Sequence, residues 1–197
     1  MMAMKRALIS VYDKTSIVDF AKELDKMRIE IISTGGTYVI LKKAGINSVK
    51  LVSEVTGFPE ILEGRVKTEH PKIMGGILAL RDKEEHMKDL ECHGIEAVDW
   101  VVCNLYPFEK VTANGADMKT ALENIDIGGP NMIRAAAKNF ENVVVVVNPS
   151  RYNQILGEYK KNGTVTAETR KALALEAFKE TAKYDSVIHR YLKETSF

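Results

Sequence analysis

Cysteine is scarce: the 197 residues include two, Cys92 and Cys103. They have no metal or redox spacing, and the four histidines add no zinc pattern to them. So few thiols suit a reducing compartment and exclude a disulfide scaffold. No apolar run is long enough to cross a bilayer. The start, Met1-Met2-Ala3-Met4-Lys5, is too short and polar for a signal peptide, so the expected address is the cytoplasm. Neither sign of charge dominates, since 28 Lys and Arg face 27 Asp and Glu for a formal net charge of +1. Without a basic block, nothing points to nucleic acid as a partner. Repeats, low-complexity tracts and linkers are also missing, so residues 1–197 read as one domain.

What is present is a core. Hydrophobic residues make up 45% of the chain, enough to exclude disorder. Residues 5–11, 29–33, 49–52, 99–103 and 142–147 read as strands, the last holding five consecutive valines as in a strand buried on both faces. Helical spacing of Ile17, Phe20, Ala21 and Leu24 predicts a helix over about 16–27. Further helices are expected from Thr37 to Ala44, at about 82–92, around 117–123, and at about 150–161 and 166–193. Residues 64–80 read as irregular and then apolar. Alternating strands and helices predict an α/β class with a mostly parallel sheet, the C-terminal helices packed onto it.

The chain turns on residues 124–139. Gly128 and Gly129 allow a tight turn, Pro130 suits the first helical position, and Met132 to Lys138 reads as helix. Free N–H groups at such a helix start suit an anion or oxyanion, and Asp126 sits at its mouth. A structural turn uses the same Gly and Pro. Lys138 lies about 12 Å along a straight helix from Pro130, so spacing alone does not bring it to Asp126. By itself it reads equally as a cation at a helix C-terminus.

Ligands of open α/β sheets sit outside the carboxyl ends of the strands. Tyr12-Asp13-Lys14, Thr34-Gly35-Gly36-Thr37 and Asn104-Leu105-Tyr106 all fall at such ends. The Thr34–Thr37 turn suits a phosphate at a helix N-terminus, with Lys14 as counter-charge, or a plain turn capped by Thr37. If Gly64 to Pro71 is extended, Arg65 and Lys67 share one face, for an anionic substrate or for solvent. His70 precedes a proline and is an acid–base candidate or a structural histidine. His86, His93 and His189 have no assigned role.

Several ordered motifs resemble one family: Ser10-Val11-Tyr12-Asp13-Lys14-Thr15, Ser33-Thr34-Gly35-Gly36-Thr37, Thr56-Gly57-Phe58-Pro59-Glu60, Gly64-Arg65-Val66-Lys67-Thr68, Asn104-Leu105-Tyr106-Pro107-Phe108, Ile125-Asp126-Ile127-Gly128-Gly129 and Ala135-Ala136-Ala137-Lys138-Asn139, with Ala177-Phe178 and Tyr184-Asp185 later. From about Lys5 to Tyr191 the chain resembles the IMP cyclohydrolase domain of the bifunctional enzyme that ends de novo purine biosynthesis. The resemblance implies a methylglyoxal-synthase-like, three-layer α/β/α fold. It implies dehydrative closure of FAICAR, a formylated imidazole-carboxamide ribotide, to IMP, with no cofactor and no metal.

By the same resemblance, Lys67, Tyr106, Asp126 and Lys138 fall on catalytic positions. Lys14, Thr34, Gly35, Gly36 and Thr37 fall on the phosphate site, with Tyr12 and Asp13 beside it. Arg65, Thr68, Asn104, Leu105, Ile127 and Gly128 fall on nucleotide-binding positions. Ring closure needs positioning, an oxyanion stabiliser such as Lys67 with N–H groups near Ile127 and Gly128, and a proton relay through Asp126 and Lys138, with either as the base. Tyr12 stands where the family usually has serine, Met74 where histidine is common, and Asn131 where threonine is common. The family enzyme usually continues into a transformylase domain, whereas this sequence stops at Phe197. The sequence is then either a stand-alone cyclohydrolase or a piece of the longer enzyme, and the partners the resemblance implies include a homodimer copy and a separate transformylase. The rivals are a regulatory small-molecule-binding domain on the same fold and methylglyoxal synthase.

Overall fold

A computed structural model describes residues 5–195. The expectations about the leader and the chain's end rest on Met1 to Met4 and on Phe197, outside those residues. The strands are β1 (Arg6–Val11), β2 (Glu30–Ser33), β3 (Lys50–Leu51), β4 (Trp100–Asn104) and β5 (Val144–Val146). They form one sheet in the order β3-β2-β1-β4-β5, and every pairing is parallel. Such a sheet needs helices on both faces, which is why its strands are near-continuous apolar runs. Val144, Val145 and Val146 are all buried, each contributing about 1.5–3 kcal/mol relative to an exposed valine.

Helices fill the connections: α1 (Ile17–Lys26), α2 (Gly35–Lys43), α3 (Val52–Thr56), α4 (Pro71–Leu78), α5 (Glu84–Cys92), α6 (Phe108–Ala113), α7 (Met118–Glu123), α8 (Gly128–Lys138), α9 (Tyr152–Asn162) and α10 (Ala167–Glu194). Helix α1 buries Ile17, Phe20, Ala21 and Leu24, the stripe its spacing predicts. It packs with α2 and α9, while α8 packs with α4 and α10, completing a three-layer α/β/α sandwich. Among the described residues no helix is long and apolar enough to cross a membrane.

Four local expectations need correction. Residues 71–78 are helical, because Pro71 opens α4 and the His70 Nδ1 accepts the Lys72 N–H at 3.1 Å. His70 is therefore engaged as a helix cap. The third strand ends at Leu51, because the Glu54 carboxylate takes the Leu51 N–H at 2.6 Å and starts α3 at once. Pro130 is the third residue of α8, which begins two residues earlier because the Asp126 Oδ1 accepts the Gly129 N–H at 2.8 Å. Helix α6 follows Pro107 directly, where the sequence suggested none.

Candidate functional site

Strands β2, β1 and β4 are neighbours, so the loops at their carboxyl ends adjoin. The Asn104 Oδ1 accepts the N–H groups of both Tyr12 and Asp13 at 2.7 Å, and its Nδ2 donates to the Asp13 carbonyl at 3.2 Å. Its amide thus clamps the β1 loop onto β4. The Asp13 carboxylate accepts from the Thr15 N–H at 2.9 Å and hydroxyl at 2.6 Å, which holds its pKa below the usual range. Tyr12 and Tyr106 face each other with ring centroids 5.3 Å apart, each about half exposed. Behind them, a cavity of about 650 Å³ is lined by Tyr12, Lys14, Asn104, Lys110 and Glu176 among others, a volume suited to a small ligand.

The phosphate candidates gather around the end of β1. The Lys14 ammonium donates to the Val11 carbonyl, and the Thr37 hydroxyl donates to the same oxygen at 3.0 Å. Ser10 Oγ and Thr34 Oγ1 are 3.0 Å apart. Burial lowers the pKa of Lys14. Gly35 and Gly36 open α2, whose first N–H groups carry the positive end of the helix dipole.

Lys67 comes to this turn from another segment. A Cβ added at Gly35 would lie 3.8 Å from its Nζ. Leu62, Glu63 and Gly64 all have positive φ, forming a tight turn closed by pairing of Ile61 with Val66. Gly64 leaves room for the lysine, since a Cβ there would sit 3.1 Å from both Cε and Nζ. Lys67 pairs with Glu60 at 3.3 Å, and Arg65 pairs with Glu123 of α7. The expected shared face of Arg65 and Lys67 is not formed, because Arg65 has helical backbone angles and the two cations meet different acids.

The turn before α8 lies against the same segment. Positions for a Cβ at Gly128 fall 2.7 Å from both Thr68 Oγ1 and Glu69 Oε1. At Gly129 a Cβ would fall 2.5 Å from Asp126 Oδ2 and 2.7 Å from Leu105 Cδ2, so only glycine fits there. Asp126 is mostly buried, which raises its pKa. N–H groups of Gly129 and Tyr106 oppose that rise, Glu69 reinforces it, and Lys67 opposes it. Among the described residues, the Ile127 and Gly128 N–H groups donate to no protein acceptor. Ile127 itself is 65% exposed, whereas Gly128 is only partly so.

The structure therefore brings together Lys67, Thr68, Leu105, Tyr106, Asp126, Ile127 and Gly128, with Lys14 and Thr34 to Thr37 adjoining through Lys67. It does not bring Lys138 to them. Lys138 is exposed in the last turn of α8, about 15 Å along the axis from Gly128. Two of the unusual residues touch each other, the Asn131 Nδ2 lying 3.5 Å from the Met74 sulfur. The third, Tyr12, packs on Tyr106. Sequence reasoning gave no role to Glu60, Glu69, Glu123 or Tyr184, although Glu60 and Tyr184 lie in motifs that carry the family resemblance. The Tyr184 hydroxyl accepts the Asp126 N–H at 2.8 Å from 58 residues away, a separation with no local signal.

The chain as a whole is similar to several known proteins. The family model "AICARFT/IMPCHase bienzyme" matches residues 136–197. The bifunctional purine biosynthesis protein PurH of Thermoanaerobacter sp. (strain X514) is 57% identical over 189 residues, covering 95% of this chain and 37% of the relative. PurH of Persephonella marina is 55% identical over 190 residues, covering 96% of the chain and 37% of the relative. PurH of Bacillus subtilis is 50% identical over 192 residues, covering 97% and 37%. The chain thus spans about 37% of the length of these relatives. The crystal structure of ForH superposes with a TM-score of 0.82 at 34% identity, covering 95% of this chain and 98% of that one. A model described as "MGS-like domain" matches residues 16–131, more than half the chain, which therefore belongs to the MGS-like domain family.

Proposed function

We propose that this chain is an IMP cyclohydrolase, closing FAICAR to IMP with loss of water. The observation that carries the proposal is the convergence of the Lys67 ammonium, the Asp126 carboxyl and the unpartnered Ile127 and Gly128 N–H groups beside the Lys14 and Thr34–Thr37 patch. The match of the bienzyme model to residues 136–197 supports the same reading.

In this proposal the patch holds the ribotide phosphate and leaves the imidazole carboxamide facing Asp126. The carboxamide nitrogen attacks the formyl carbon and gives its proton to the Asp126 carboxylate. Lys67 and the two backbone N–H groups stabilise the oxyanion that forms. That oxygen takes up a proton to become a hydroxyl. The former formamide nitrogen then releases its own proton as the C=N bond forms, and the hydroxyl gains a second proton and leaves as water. Tyr106 stands beside this path, its backbone N–H helping to favour the ionised Asp126 carboxyl. A cytoplasmic location, a homodimer and a partner transformylase belong to the proposal as well.

The test is to add FAICAR to the purified chain and follow IMP by absorbance and chromatography. IMP formation that falls on the order of a hundredfold or more in Lys67→Ala is expected, as when an oxyanion donor is lost. A folded protein that leaves FAICAR unchanged would sink the assignment.

A further inference from the structure

Glu69 is bent back over its own segment. Its Oε2 accepts the Lys67 N–H at 2.9 Å, and its Oε1 lies 2.7 Å from where a Cβ on Gly128 would stand. That places a second carboxylate at the start of α8, on the same turn as Asp126 and near the unpartnered Ile127 and Gly128 N–H groups. Lys67 is the cation of this cluster, and it already pairs with Glu60 at 3.3 Å. Its ammonium thus acts on Glu60 and Asp126, while Glu69 holds only its backbone N–H. Glu69 is the like charge that acts on Asp126, adding to the burial that already favours the protonated carboxyl there.

Other groups facing Asp126 act in both directions. From α10, the Tyr184 hydroxyl touches its backbone N–H, and Asp185 lies behind that tyrosine. From β4, the buried Cys103 thiol is kept neutral by desolvation. The loop after β4 supplies the Tyr106 N–H, and α8 supplies that of Gly129. These last two favour the ionised carboxylate, while Glu69 pushes toward the protonated one.

We propose that Glu69 is a positioning residue of ring closure: its carboxylate, held against the start of α8, keeps Asp126 ready to accept the proton that the carboxamide nitrogen gives up. The inference rests on the IMP cyclohydrolase reading. Glu69 acts through Asp126 and is not itself placed on the substrate. A structural alternative assigns Glu69 only the task of capping the Lys67 N–H.

Glu69→Gln separates the two, because its amide oxygen still accepts that N–H while the charge is gone. Asp126 is followed directly by 13C-carboxyl NMR titration of the intact chain, and the kcat/KM profile is recorded against pH. The expected result is that the Asp126 midpoint and the profile's acid limb both move to lower pH in Glu69→Gln. Glu69→Asp, which keeps the charge, should restore both toward the unmodified values. Unmoved midpoints in a well-folded Glu69→Gln would overturn the proposal, as would a loss of melting temperature without any change in the profile. If the midpoint falls but neither protein forms IMP, the ring-closure reading fails and only the coupled carboxyl pair stands.

Discussion

The hydroxyl of Tyr184, carried on α10, accepts the backbone N–H of Asp126 at 2.8 Å and lies 3.4 Å from the Asn124 carbonyl. The C-terminal helix thereby pins the turn that aims the candidate acid. Tyr184 itself packs edge-on against Phe108 of α6, with ring centroids 6.4 Å apart, in a small cluster separate from the main core. This links the span matched by the bienzyme model to the glycine turn in the middle of the chain.

Removing that hydroxyl should be felt twice. Tyr184→Phe leaves a part-buried N–H without its acceptor, at a cost of about 1–3 kcal/mol of stability. It should also lower kcat more than it changes KM, because the phosphate patch is untouched. Thermal melts and steady-state kinetics on the same preparation check this. A variant with unchanged stability and unchanged kcat would show that the contact does not hold the turn.

For Asp126 the sign of the pH effect follows from its raised pKa, caused first by burial. The folded state binds the proton more tightly than the unfolded chain. The stability this contributes is whole below the unfolded carboxyl's pKa and is lost as pH rises through the folded value. Asp126→Asn keeps an oxygen for the Gly129 N–H and removes the charge. It should melt at or above the unmodified temperature at neutral pH, lose that advantage in acid, and drop kcat by about 10² or more. Marked destabilisation of the variant at neutral pH would contradict the burial argument.

Lys14 should act on binding. Its ammonium shares the Val11 carbonyl with Thr37, beside the start of α2 and away from Asp126. Losing a charged hydrogen bond costs about 1.5–3 kcal/mol, so Lys14→Ala should raise KM about tenfold or more with a smaller change in kcat. Equal affinity of the unmodified protein for the ribotide and its dephosphorylated riboside would remove the phosphate from this patch.

Strands β1, β2, β4 and β5 were legible because a strand buried on both faces must be a nearly unbroken apolar run. Helix α4 was not, since Gly75 and Gly76 lower its propensity. It forms behind Pro71 and the His70 cap, and Gly76 is needed within it because a Cβ there would be 2.6 Å from the Glu96 carbonyl oxygen. Asp126 and the Thr34–Thr37 turn stood out through glycine neighbours and placement at strand ends, and Lys67 through the family resemblance. Glu60, Glu69 and Glu123 did not, because an acid's meaning here depends on which cation or carboxyl the fold sets against it. For Arg65 the condition for a face shared with Lys67, an extended segment, is not met, because the chain turns there.

Lys138 poses the sharpest test. It ends α8 on the exposed surface, while Asp126 caps the other end of the same helix through Gly129. About 15 Å of helix axis separates Gly128 from Lys138, more than a lysine side chain spans. Within one chain, then, the two cannot form a relay without unwinding α8. If Lys138 acts in ring closure, it does so on the site of a second copy, and a site shared across a two-fold dimer has a distinctive consequence. Lys138→Ala and Asp126→Asn should each be inactive alone, yet regain about a quarter of the unmodified activity when mixed and re-equilibrated, because half the dimers are hybrids with one intact site. Action within one chain gives no recovery in verified hybrids. A third outcome is that Lys138→Ala keeps most of its turnover and loses only about 0.3–1 kcal/mol of stability, which would make Lys138 a helix-end cation and leave Lys67 and Asp126 to carry the reaction. We expect recovery, measured as IMP formed per site with the hybrid fraction counted by native mass spectrometry.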